Sequence, residues 1–110
     1  MILNIVIEEH TVPVEVPDYL LDEAEDFFSK MDADMDRGYQ MSRTWIEKPD
    51  LVQRCQIAAD KLYTALHTHN DQLSQLMAAY ILKRLPGVTT VYINTEGDML
   101  EHELVREGMQ

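Results

Sequence analysis

PDLVQRCQIAADKLYTALHTHNDQLSQLMAAYILKRLPG, residues 49–87, decides the architecture. Val52, Cys55, Ala59, Leu62 and Leu66 recur at the i, i+3, i+4 spacing of an amphipathic helix, with Arg54, Gln56 and Lys61 turned outward. Pro49 suits the first position of that helix, because a proline there gives up only an N–H that has no helical partner. The pattern breaks around His67-Thr68-His69-Asn70-Asp71 and restarts, and Thr68 and Asp71 have the spacing of a capping box with Asp in place of Glu or Gln. Leu73, Leu76, Met77, Tyr80, Ile81, Leu82 and Leu85 then cover more than one stripe. This predicts a central helix, packed on more than one side, that stops at Pro86-Gly87.

On either side of this helix pair the period changes. Residues 88–95 are β-branched nearly throughout, and Glu96-Gly97-Asp98 offers a turn. Leu100, His102 and Leu104 then alternate with Glu101, Glu103 and Val105, the pattern of a closing hairpin. At the other end, residues 2–7 read as a strand, and Val12, Val14 and Val16 alternate with Pro13 and Glu15. Pro13 cannot donate to a ladder, so this second segment is expected at a sheet edge or as an extended lead-in. Leu20, Ala24, Phe27, Phe28 and Met31 fall at helical spacing, predicting a helix from about residue 18 to the mid-30s. Asp18 is its candidate N-cap, and Asp22 and Glu23 suit the positive end of its dipole. Residues 39–48 have no clear period and read as a loop or short helix. The expected fold class is α+β: three main helices packed on one face of a small mixed or antiparallel sheet formed by the N-terminal segment and a C-terminal hairpin, in one domain spanning residues 1–110.

Composition narrows the function classes. Twenty acidic residues against nine basic give a formal charge of −11, which opposes binding to nucleic-acid phosphates or anionic lipid. No apolar stretch approaches the ~20 residues that span a bilayer, and the run Met1–Ile7 is too quickly followed by Glu8 and Glu9 to serve as a signal peptide. The one cysteine, Cys55, allows neither an internal disulfide nor a multi-cysteine zinc site and fits a reducing compartment. The expectation is a cytoplasmic protein with no membrane or nucleic-acid partner.

No motif identifies a reaction. Asp32, Asp34 and Asp36 have the spacing with which an EF-hand loop begins, but Arg37 stands where the turn glycine belongs and Arg43 where the bidentate glutamate belongs. His10, His67, His69 and His102, with neighbouring glutamates, are the residues from which a metal site could be built; His67 and His69 are two apart, where ligands on one helix face need three or four. Cys55 lies in an apolar stripe, which suits a buried thiol better than a nucleophile. There is no G-x-S-x-G around Ser42 or Ser74, no phosphate-cradling glycine loop and no H-E-x-x-H. No cofactor is expected.

The remaining signal is surface chemistry. Asp22, Glu25, Asp26, Asp32, Asp34 and Asp36 make the first helix and its end the most acidic part of the chain. Arg37, Tyr39, Met41, Arg43 and Trp45 follow at once, mixing aromatic, methionine and arginine residues as interfaces do. The leading expectation is a non-enzymatic accessory or interaction protein, forming a homo-oligomer, that presents these residues to a protein partner, a basic one in particular. Two alternatives are a metal-binding domain using the histidines and a small-ligand binder or enzyme with a pocket between helices and sheet.

Overall fold

The computed structural model describes residues 1–106. Its elements in chain order are β1 (Ile2–Ile7), β2 (His10–Glu15), α1 (Leu20–Glu23), α2 (Glu25–Met35), β3 (Tyr39–Met41), β4 (Thr44–Ile46), α3 (Leu51–His67), α4 (Asp71–Arg84), β5 (Val88–Ile93), a 3-10 turn (Met99–Glu101) and β6 (Glu103–Arg106). The main sheet is mixed, in the order β2-β1-β5-β6. β1 and β2 form an antiparallel hairpin from Ile2↔Glu15 to Ile7↔His10, β1 runs parallel to β5, and β6 returns antiparallel to β5 across a bulge near Val88. The α+β expectation holds, with the N-terminal and C-terminal strands in one sheet and the main helices packed against it.

Alternation along the strands sends Leu3, Ile5, Val14, Val91 and Ile93 inward, where they join one continuous apolar core with residues of α3 and α4. Met77, Ala78, Ala79, Tyr80, Ile81 and Leu82 of α4 are buried in succession. Six buried residues in a row exceed a single stripe, and the reason is that α4 is enclosed by the sheet, by α3 and by α2, whose Phe28 meets the Tyr80 ring edge-on at 5.7 Å between centroids.

Several local expectations are corrected. The first helix breaks at Ala24 (φ −93°, ψ 9°) into α1 and α2, and Asp18 does not cap it; its carboxylate accepts from the N-terminal ammonium. Residues 39–46 form the β3–β4 hairpin, its turn set by Ser42 at φ 58°. The period was hidden because each strand is three residues long. Pro49 is buried ahead of α3, and Asp50 is the cap: its side chain accepts from Gln53 N while the Gln53 side chain accepts from Asp50 N. At the start of α4 the cap is Asn70, accepting from Leu73 N, in place of Thr68.

Replacing Asp50 with alanine removes the Gln53 N–H acceptor and should destabilise the fold by about 1 kcal/mol. Thermal unfolding of Asp50→Ala should show a midpoint lowered by roughly 4–8 °C, and an unchanged midpoint would contradict the cap assignment.

Candidate functional site

The carboxylates of α2 fall into two sets, because 3.6 residues per turn place Glu25, Asp32 and Asp36 on the stripe that also carries the buried Phe28 and Met35. Facing that stripe are cations of α3 and α4. Arg84 grips Glu25 with both terminal nitrogens at 2.9 Å and donates Nε to Asp32 Oδ2 at 3.0 Å. Asp32 also accepts from the Tyr80 hydroxyl, and Arg54 donates to the Asp32 backbone oxygen at 3.2 Å and to the Asp36 carboxylate. Lys83 donates to Leu21 O at 2.7 Å and stands 3.2 Å from Glu25. The planar guanidinium fork suits this double grip as an ammonium would not.

The charges leave their mark on proton affinity. Arg84, with help from Ser29 and Lys83, holds the Glu25 carboxyl well below its ordinary range, and Arg54 lowers that of Asp36. Burial, then its bond to Asp32, pushes the Tyr80 hydroxyl up. Burial, reinforced by the Asp32 charge, raises the Cys55 thiol to about 12, so Cys55 stays a protonated, fully buried side chain.

The opposite stripe has no such partners. Tyr19, Asp22, Glu23, Asp26, Phe27, Lys30 and Asp34 recur at helical spacing and are all exposed. Asp22 comes within 3.7 Å of Lys83 but remains 92% exposed, and Asp26 and Asp34 form no ion pair among the described residues. Lys30, and Arg37 just beyond the helix, offset part of the charge. Phe27 is 42% exposed, its ring 6.3 Å from that of Phe28 between centroids.

α2 leads directly into the hairpin. Gly38, at φ 99°, lies under the Trp45 indole, where a Cβ would overlap the ring. Trp45 is 55% exposed and paired with the exposed Gln40, whereas Met41 points into the core and Tyr39 is half-buried. Of the hairpin residues singled out in the sequence, Arg37, Arg43 and Trp45 are thus on the surface, and Met41 has its contacts inside. Between α2, Tyr39 and α3 lies a small cleft of about 180 Å³, lined by Met31, Asp34, Met35, Tyr39 and Lys61, with the Lys61 ammonium 5.9 Å from the centre of the Tyr39 ring. Met31, Met35 and Lys61 carried no signal as single residues, and Arg54, Lys83 and Arg84 could have been found only as cations facing an acidic helix.

The histidines are dispersed. His10 begins β2, and His67 and His69 flank the α3–α4 turn; all three are exposed. His102 is buried: its Nδ1 accepts from Asn94 N at 2.9 Å, which leaves Nε2 to donate to Asp60 at 3.2 Å, while Gln56 donates to the Leu100 and His102 carbonyls. This makes His102 a staple between α3 and the β5–β6 connection. Among the described residues no three His, Cys, Asp or Glu side chains come together as a metal ion requires.

Two further features point inward on inspection. A polar hollow of about 330 Å³ lies between Ser42–Thr44 and residues 94–101, but its polar groups hold its own walls: Asn94 Oδ1 accepts from Glu96 N and Asp98 N, and Ser42 Oγ from Met99 N. The β2 edge is blunted. Met1 and Val16 exchange both backbone hydrogen bonds, so ladder alternation turns Thr11, Pro13 and Glu15 toward the free side. Pro13 has no N–H to offer there, and the Glu15 carbonyl already accepts from Gln75.

No helix among the described residues is long and apolar enough to cross a membrane. Comparison with protein-family models, with curated proteins and with solved structures finds no match to this chain.

The depressed Glu25 carboxyl sets a pH dependence. A group with a lowered folded-state pKa contributes stability that is intact above its ordinary value of 4.5 and is lost as pH falls through the folded value. Glu25→Gln should therefore unfold at lower temperature than the parent at pH 7, and the gap should narrow as pH is taken below about 4.5. A gap that stays constant across that range would contradict the Arg84–Glu25 assignment.

Proposed function

We propose that this protein acts by binding, as a non-enzymatic accessory domain whose partner-facing surface is the outward stripe of α1 and α2 together with the exposed part of the β3–β4 hairpin. The observation that carries this reading is the division of the acidic helix. Glu25, Asp32 and Asp36 are engaged by Arg84, Lys83 and Arg54 within the fold, whereas Asp26 and Asp34 stand in solvent on the stripe that also exposes Phe27 and Tyr19. Acidic side chains around rigid aromatics offer a basic partner both steering and apolar contact. Trp45 and Arg43, projecting from the adjoining hairpin, extend the surface with the residue types that dominate interface energetics.

A catalytic reading has less support. Of the strongly perturbed titratable groups, Glu25, Tyr80 and Arg84 are bonded to one another or to Asp32 in the joint between helices, and Cys55 is a buried thiol held protonated.

The test is affinity chromatography of a cell extract on the immobilised protein, with retained proteins identified by mass spectrometry. The parent should retain proteins with basic segments, released as salt is raised. The double variant Asp26→Lys, Asp34→Lys, which leaves every paired carboxylate alone, should lose at least about tenfold of that retention while remaining folded by circular dichroism. The same proteins retained equally by both would contradict the proposal.

A further inference from the structure

We infer that the cleft lined by Met31, Met35 and Tyr39, rimmed by Asp34 and Lys61, is an anchor socket. Its occupant is one large apolar side chain of a partner segment that also carries Lys or Arg within a helical turn of that residue. This rests on the reading of the acidic stripe as a partner surface and says which part of the partner enters it.

Size comes first. The cleft measures about 180 Å³. Pockets for whole small molecules run from about 300 Å³ upward, whereas a cavity of about 150 Å³ already accepts a benzene ring. The hollow therefore matches a single aliphatic or aromatic side chain. Chemistry comes next. The floor is two methionine side chains and a tyrosine ring, a lining that is apolar and adjusts to the shape of what enters it. Met31 is half-buried and Met35 only 3% exposed, so the socket has an open wall and a fixed base.

Charge then selects the segment. Lys61 holds its ammonium 5.9 Å from the centre of the Tyr39 ring, so one cation stays on this rim. Asp34 on the opposite rim has no ion-pair partner among the described residues, and Asp26, two turns earlier on the same stripe, has none either. An entering segment thus meets an apolar socket beside a stripe that carries Asp22, Glu23, Asp26 and Asp34 against Lys30, so that the stripe stays net negative even with Lys61 on the rim. Phe27 continues the apolar track from the socket along α2, at i−4 from Met31. A basic amphipathic helix laid along α2 would set its anchor in the socket and its cations against Asp34 and Asp26.

Selection from a random peptide library displayed on phage, using the intact protein as bait, tests this without assuming a sequence. The enriched peptides should share one large apolar residue within a turn of Lys or Arg, and they should shift the ε-methyl resonances of Met31 and Met35 in saturable fashion. Changing that residue to alanine in a selected peptide should weaken binding about tenfold or more, and Met31→Lys in the protein should do the same. The peptide change leaves the protein untouched, so the result does not depend on how Met31→Lys folds. Basic peptides that bind through Asp22, Asp26 and Asp34, tolerate alanine at the anchor and leave both methyl signals unmoved would overturn the socket while leaving the acidic surface as a partner site. Enriched peptides indifferent to the stripe and the socket alike, or no enrichment, would overturn both.

Discussion

The guanidinium of Arg84 is the constraint on which the arrangement of this molecule depends. It sits at the end of the most enclosed helix and binds two carboxylates a full seven residues apart on α2, Glu25 and Asp32. Its Cζ also lies 5.9 Å from the Phe28 ring centre and 5.4 Å from that of Tyr80. One side chain thereby fixes the rotation of α2 about its axis as well as its distance from α4. A bidentate pair combined with a third hydrogen bond is directional in a way that the apolar contact through Phe28 is not.

Fixing the roll of α2 determines what the protein shows to its surroundings. With Glu25 and Asp32 paired to Arg84 and Asp36 paired to Arg54, Asp22, Asp26 and Asp34 stand on the exposed side with Phe27, and the chain emerging from α2 delivers Gly38 beneath Trp45. A glycine is required at that crossing both by its positive φ and by the indole above it. The cleft at Tyr39 is a by-product of the same geometry: it opens where α2 ends, the hairpin begins and α3 passes alongside. The proposed binding function and the proposed socket therefore share one structural cause.

The sequence disclosed elements whose period is long and lost those whose period is short. α3 and α4 could be read from their stripes, and α4 from the excess of apolar positions over one stripe; the strands β1, β2 and β5 could be read from their β-branched runs. The three-residue strands of the hairpin gave too few alternations to register, and its turn depended on a serine in a left-handed conformation, which composition does not announce. The acidic helix was visible as a run of carboxylates, but its division was not, because that depends on Arg54, Lys83 and Arg84 being placed opposite by tertiary packing. His102 illustrates the same limit: as one of four scattered histidines it reads as a surface or capping residue, yet it is buried, because Asp60 on α3 and the backbone of Asn94, just past β5, converge on its ring.

The coupling between Arg84 and Asp32 ties α2 to α4. Denaturant unfolding of Arg84→Met, Asp32→Asn and the double variant measures it as a double-mutant cycle. A favourable interaction of about 1 kcal/mol or more is expected for contacting members of one partly buried network. Strictly additive effects would mean that α2 is positioned by apolar packing alone, and the division of its carboxylates would lose its physical basis.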